Sequence, residues 1–148
     1  MTSRLDQQGL SMRKFATAVV AAGLFFGGMG VAVADSWHSV KDPLTTTGAH
    51  FEDIEYRWEP AGEKRGAFRF RGSLRDGNHN DGHNTYVEAR AHSYGWQRFK
   101  GAQKRTVQLE NKVYDGATRY TNSADMRVCR DRGALRPNNC SQIRSFKR

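Results

Sequence analysis

Glu88, Arg90 and His92 stand at every second position of the segment TYVEARAH. A carboxylate, a guanidinium and an imidazole are the groups that small phosphoryl-transfer enzymes use as base, anion clamp and acid. On a β-strand, side chains two residues apart share one face and stand about 7 Å apart. An acid and a base in one row do not reach a reacting group from opposite sides, so we expect no catalytic set and no enzyme activity. The alternative is a small secreted hydrolase or nuclease that uses these three residues.

The loop before that strand, RDGNHNDGHN, is a candidate for metal binding. Asp76, Asn78 and Asn80 alternate as the first three oxygen ligands of an EF-hand calcium loop do. Asp81, a further oxygen donor, stands where that loop needs glycine, and Val87 stands where it needs its final glutamate. The composition favours a polar hairpin turn instead. We therefore expect no bound metal here and no other cofactor.

The strands that carry these residues follow an N-terminal segment whose sequence predicts export. Arg13 and Lys14 precede an apolar run that ends in AVA at residues 32–34, small residues typical of a signal-peptidase site. Several glycines interrupt the run and no basic flank follows it, which argues against a transmembrane helix. We interpret residues 1–34 as a signal peptide, so the mature protein is secreted and has no transmembrane segment.

The charge of the chain is strongly positive. It has 24 Lys and Arg against 15 Asp and Glu, a net charge of +9. Loss of Arg4, Asp6, Arg13 and Lys14 with the signal peptide leaves +7. Such a charge favours an anionic surface or polymer as a partner, although it indicates nothing about the fold. A cell-surface or polyanion-binding module is therefore an alternative function.

The chain has two cysteines, Cys129 and Cys140. In an exported protein the oxidising compartment favours a bond between them. The bond would close the short loop RDRGALRPNN and stabilise the fold by about 3 kcal/mol. We predict a structural disulfide near the C-terminus.

From Phe51 onward apolar and polar residues alternate with a period of two, which is typical of half-buried β-strands. DIEYRWE and AFRFRGSLR predict a hairpin, and TYVEARAHSYGW predicts a third strand with a bend at Gly95. RTVQLENKVY, ATRYTNSADMRVCR and SQIRSF predict the rest. Six to seven short strands separated by turns indicate an all-β fold, an antiparallel β-sandwich or small open barrel, over residues 50–148.

Residues 35–49, DSWHSVKDPLTTTGA, show neither the alternation of a strand nor the periodicity of a helix. They predict an extended N-terminal arm. Trp37, Val40 and Leu44 are the apolar side chains that a solvated tail would not need. We assign them to a protein partner, because an extended segment can add a strand to another sheet while its side chains fill pockets. The sandwich is then expected to fold without the arm.

Two longer stretches, SLRDGNHNDGHNTYVEARAHSYGW and VYDGATRYTNSADMRVCRDRGALRPNNCS, carry a resemblance to known proteins. They resemble a set of small exported one-disulfide β-sandwich proteins of actinobacteria, with a DGHN-like turn before a long strand. The layout of signal peptide, arm and sandwich is also similar to the adaptor subunit of secreted umbrella-toxin particles. That similarity implies a non-enzymatic bridge between a lectin-like subunit and a large repeat-bearing toxin, with the arm lodged in the lectin-like subunit.

Overall fold

The structure is a computed structural model that describes residues 35–92, 94–116 and 120–148. The signal peptide predicted at residues 1–34 lies outside these ranges. Within them the chain forms ten β-strands and no helix. Accordingly, no helix in the described ranges is long and apolar enough to cross a membrane.

The strands form two antiparallel sheets, so the prediction of an all-β antiparallel sandwich or small open barrel is confirmed in its sandwich form, with ten strands in the described ranges instead of six to seven. The first sheet comprises β1 (His38–Ser39), β2 (Leu44–Thr46), β3 (Ala49–Trp58), β4 (Phe68–Asp76) and β7 (Thr106–Val113). The second comprises β5 (Thr85–Ala91), β6 (Gln97–Lys100), β8 (Ser123–Arg130), β9 (Asn139–Cys140) and β10 (Arg144–Lys147). In the first sheet β3 has β1 and β2 on one side and is followed on the other by β4 and β7. In the second sheet β8 pairs with β10 and β9 along one edge and with β5 along the other, and β6 follows β5 at the far edge.

The core lies between the sheets and is built from the alternating apolar residues of the long strands. Phe68 at its centre is fully buried and contacts the rings of four other aromatic residues at centroid distances of 4.9 to 6.2 Å. Burying a side chain of this size stabilises the fold by about 1.5–3 kcal/mol. The other fully buried large side chains include Phe51, Ile54, Phe70, Leu74, Val87, Val113, Met126 and Val128.

The third predicted strand is shorter than its pattern suggests. It ends at Ala91, because His92 adopts a φ of 51°, in the left-handed region that side chains other than glycine seldom occupy. The chain then turns and resumes at Gln97 as β6, which pairs antiparallel with β5. The predicted bend at Gly95 is therefore a hairpin connection. His92 therefore lies outside the strand that carries Glu88.

Residues 35–49 do not form a separate arm. β1 and β2 both pair with β3, and Leu44 is a core residue with 4% of its surface exposed. Val40 packs against the core, and its backbone N–H donates to the carbonyl of Ile54 at 2.8 Å. Ala49, where the predicted arm would end, is fully buried inside β3. The prediction of a separate arm is wrong because strands of two or three residues are too short to show a periodic pattern.

Trp37 also contacts its own chain rather than standing free. Its ring lies on the outer face of the first sheet, with the guanidinium carbons of Arg71 and Arg57 at 4.2 and 4.8 Å from the ring centroid. Each such cation–π contact contributes about 0.5–1 kcal/mol at a partly exposed site. The three residues assigned to a partner therefore hold the N-terminal segment on the sandwich.

The predicted disulfide between Cys129 and Cys140 is confirmed. The two residues are directly opposite each other in the pairing of β8 with β9. The bond joins the end of β8 to the strand that follows the loop of residues 131–138. It fixes both ends of that loop to the second sheet.

Candidate functional site

Glu88 lies on the outer face of the second sheet with 7% of its surface exposed. It is directly opposite Arg98 on β6 and Arg127 on β8. Arg127 donates to Oε2 at 2.9 and 2.7 Å, and Arg98 approaches Oε1 at 3.4 Å. The guanidinium of Arg98 also stacks 3.9 Å from the centroid of Tyr86, whose pKa is raised by burial. Both carboxylate oxygens of Glu88 are thus occupied by charge-assisted hydrogen bonds.

Arg90 is held in the same way. Its Nε and one terminal nitrogen each donate to Asp125 Oδ2 at 2.9 Å. Its guanidinium stacks on Trp96 at 4.3 Å from the ring centroid, and Arg127 stacks on the same ring at 4.4 Å. Arg90 is therefore fixed by a carboxylate and an indole ring of its own chain. The arrangement rigidifies the sheet face and leaves Arg90 poorly suited to clamp a phosphate.

His92 occupies different surroundings at the turn after β5. The Ser123 hydroxyl lies 3.1 Å from His92 Nδ1, and the carbonyl of Tyr120 lies 3.3 Å from Nε2. The fully buried carboxylate of Asp115 lies 3.8 Å from Nε2, which is too long for a hydrogen bond. The structure thus places Glu88 on the sheet face and His92 in a separate cluster. It does not bring the three predicted residues together.

The cluster of Ser123, His92 and Asp115 has the residue types of a hydrolytic triad. With Nε2–H donated to the neutral carbonyl of Tyr120, Nδ1 can accept the proton of the Ser123 hydroxyl. Within the described ranges no carboxylate is hydrogen-bonded to the imidazole, because Asp115 is too distant. The geometry therefore favours a structural role.

The loop between β4 and β5 uses its carboxylates to build turns. Asp76 accepts backbone N–H groups from Asn78 at 3.0 Å and Lys104 at 2.8 Å. Asp81 accepts the N–H of His83 at 2.7 Å and forms an ion pair with Arg130. The candidate ligands Asn78 and Asn80 are exposed.

In the described ranges, three metal-type side chains come within mutual reach where Glu88 lies beside the two cysteines. Their sulfurs form the disulfide, so they are not thiolate ligands. Nothing in these contacts favours a metal, and the expected absence of one stays a prediction.

The arginines on the outer face of the first sheet are paired with acidic side chains. Arg71 lies 2.6 Å from Glu55, and Arg75 lies 2.8 Å from Glu52. The hydrogen bond from Arg75 lowers the pKa of Glu52. Arg69 bridges two more carboxylates, those of Glu59 and Glu110. Opposite charges on neighbouring strands cancel the field of this face, so it is a poor surface for an anion.

One end of the sandwich has a different character. Loops 77–84, 101–105 and 131–138 meet there, and we refer to the three together as the loop end. Two contacts join the loops, Gln103 Nε2 to the Gly82 carbonyl at 2.6 Å and Asp131 N to the Asn84 carbonyl at 2.8 Å. Lys104, Arg105 and Arg136 are exposed and Arg132 is half-exposed, and within the described ranges none of the four is in an ion pair.

Leu135 is the most exposed large apolar residue in the described ranges, at 99%. It stands at the tip of the loop that the disulfide closes, between Arg132 and Arg136. The sequence signal was present, because Leu135 is the one large apolar residue in RDRGALRPNN. Ser123 and Asp115 carried no comparable signal, since only the tertiary fold brings them to His92.

No family model matches the chain, and neither a curated protein nor a solved structure matches it.

Proposed function

We propose that the protein is a secreted, non-enzymatic adaptor that binds a protein partner through the loop end. The observation that carries this proposal is Leu135, which is 99% exposed on a disulfide-closed loop. A side chain this exposed buries almost no apolar area in its own fold. On a partner, the same side chain can fill a pocket and bury most of its surface.

The surroundings of Leu135 suit a binding surface. Both ends of its loop are fixed by the bond between Cys129 and Cys140, so little conformational entropy is lost when a partner holds it. Arg132 and Arg136 flank it, and arginine is enriched among the residues that dominate binding energy at protein interfaces. Most arginines on the two sheet faces are already paired with carboxylates of their own chain, which makes the loop end the better candidate for binding a protein.

The resemblance to adaptor subunits of umbrella-toxin particles suggests the kind of assembly. The partners would be a lectin-like subunit and a large repeat-bearing toxin. Because Leu44 is buried and Val40 and Trp37 pack on their own chain, we move the docking surface from the N-terminal segment to the loop end. Two features of that resemblance remain, the predicted signal peptide and the one-disulfide sandwich, and they support the adaptor role itself.

Leu135→Asp is expected to abolish capture of the partner from culture supernatant by the tagged protein. A carboxylate in an apolar pocket loses the hydrophobic contact and adds a desolvation cost. The matched control is Ile143→Asp, because Ile143 is an apolar residue 49% exposed outside the loop end. Quantitative mass spectrometry of the captured proteins is the measurement. Equal capture by the wild type and Leu135→Asp would show that the partner binds elsewhere.

The proposed lack of enzyme activity gives a separate prediction for Ser123. A fluorophosphonate probe, which labels activated serines, is expected to leave Ser123 unmodified because the imidazole of His92 lacks a hydrogen-bonded carboxylate. Peptide mass spectrometry after probe treatment reads the result, with a known serine hydrolase treated in parallel. Stoichiometric labelling of Ser123 that disappears in His92→Gln would establish the hydrolase alternative.

A second candidate function, binding of an anionic polymer, is favoured by the basic side chains of the loop end. Lys104, Arg105, Arg132 and Arg136 can contact phosphate or sulfate groups without first breaking an ion pair. Retention on a heparin column should then fall in Lys104→Gln/Arg105→Gln, and the dependence of binding on log salt should become shallower. Lys41→Gln, an exposed lysine outside the loop end, is the control. Equal salt dependence in all three proteins would exclude this role for the loop end.

A further inference from the structure

A groove crosses the outer face of the second sheet far from the loop end. Its floor is formed by paired residues of two neighbouring strands, with Ser145 opposite Asp125 and Lys147 opposite Ser123. The connection between β5 and β6 forms one wall and contributes Tyr94. The groove encloses about 600 Å³, within the range of roughly 300–1,000 Å³ that is typical of small-ligand sites.

The polar groups of the groove are held in fixed positions by their own hydrogen bonds. Asp125 receives Arg90 on Oδ2 and the Ser145 hydroxyl on Oδ1 at 2.7 Å. The Ser123 hydroxyl is held by His92 Nδ1 at 3.1 Å. Both lone pairs of Asp125 Oδ2 are taken by Arg90, whereas Oδ1 and the serine hydroxyls each keep a lone pair for a ligand. A ligand would therefore meet an ordered set of acceptors together with the Lys147 amine as a donor.

The aromatic wall adds a second kind of contact. Tyr94 is 48% exposed and its backbone N–H donates to the carbonyl of Ala91 at 3.2 Å, which places it at the rim. A large exposed ring beside a polar floor suits a ligand with one apolar face and several hydroxyl groups. The carboxylate of Asp125 is already paired with Arg90, so it offers a ligand a hydrogen-bond acceptor without an unpaired negative charge. The charge of Lys147 is the reason for the anionic control described below.

We infer that this groove binds a neutral pyranose sugar of a polysaccharide. Sugar hydroxyls would donate to Asp125 and accept from Lys147. The C–H face of the ring would stack on Tyr94. The site is independent of the loop end, because the groove and the loop end lie at opposite ends of β5 and β8.

Affinity electrophoresis in native gels that contain soluble mannan, dextran, xylan, β-glucan or glycol chitin tests the inference with the purified protein. Retardation by at least one of these neutral polymers is expected. Tyr94→Ala should weaken it about tenfold through loss of stacking, and Asp125→Asn by a similar factor through loss of a charged acceptor. Tyr114→Ala, an exposed tyrosine outside the groove, should bind as the wild type does.

Two outcomes would overturn the inference. One is the absence of retardation by all five polymers, and the other is retardation that Tyr94→Ala leaves unchanged. Polyphosphate serves as the anionic probe in a parallel gel. Retardation by polyphosphate alone, lost in Lys147→Gln, would show that the groove takes an anion and not a neutral sugar.

Discussion

Leu44→Ala is expected to lower the free energy of unfolding by about 2–4 kcal/mol, because the substitution leaves a cavity in a packed core. Leu44 is 4% exposed and belongs to the core cluster, although it lies near the start of the described chain. Deleting residues 35–47 should have a larger effect. The deletion removes β1 and β2 and uncovers one edge of β3.

Urea unfolding of the purified proteins, followed by tryptophan fluorescence, measures both effects. The matched control is Thr45→Ala, because Thr45 is the exposed neighbour of Leu44 in the same short strand. A surface change of this kind is expected within about 0.5 kcal/mol of the wild type. If the deletion and Leu44→Ala both unfold at the wild-type urea concentration, residues 35–49 are a dispensable arm after all.

Loss of the disulfide is the second large change. Cys129→Ala/Cys140→Ala is expected to lower the free energy of unfolding by about 3 kcal/mol. Without the bond, the unfolded chain gains the conformational freedom that the closed loop had removed. β9 is two residues long and pairs only with β8 within the described ranges, so its pairing should be lost first. The loop that carries Leu135 should then become mobile, and capture of the partner should weaken as well.

Intact mass before and after reduction establishes the bond in the purified protein, and urea unfolding of the double variant gives its contribution. Arg132→Gln, a change inside the same loop that keeps both cysteines, should unfold as the wild type does. Two free thiols in protein purified from the culture medium would contradict the disulfide. An unchanged unfolding midpoint in the double variant would show that the bond is present without stabilising the fold.

The long strands were predictable because each presents a periodic pattern of its own. Phe68, Phe70 and Leu74 alternate with arginines in AFRFRGSLR, and the structure buries all three in β4. Val87, Ala89 and Ala91 do the same in β5. One buried face and one solvated face impose this alternation, so the fold class follows from local sequence.

The pairing of charges was not predictable from the same patterns. Arg71 and Glu55 are 16 residues apart, and Arg90 and Asp125 are 35 residues apart. They meet because the strand register places them side by side. From local sequence alone, the arginines of AFRFRGSLR suggest a basic sheet face. The acidic side chains of the neighbouring strands neutralise that face.

The N-terminal segment and the turn at His92 show the other limit of local sequence. β1 and β2 have two and three residues, too few to display alternation. His92 continues the alternation of Glu88 and Arg90, but its left-handed backbone ends the strand. Gly48, with a φ of 81° in the turn between β2 and β3, was the available sign that the N-terminal segment folds back onto the sheet.

The central claim is that the loop end docks a protein partner. Hydrogen–deuterium exchange of the captured complex, compared with the free protein, tests it most directly. In the complex, slower exchange is expected at the backbone amides of residues 131–138 and in loop 101–105. Residues 35–49 are expected to be equally protected in the complex and in the free protein. Protection that appears in residues 35–49 on binding, with none at residues 131–138, would contradict it.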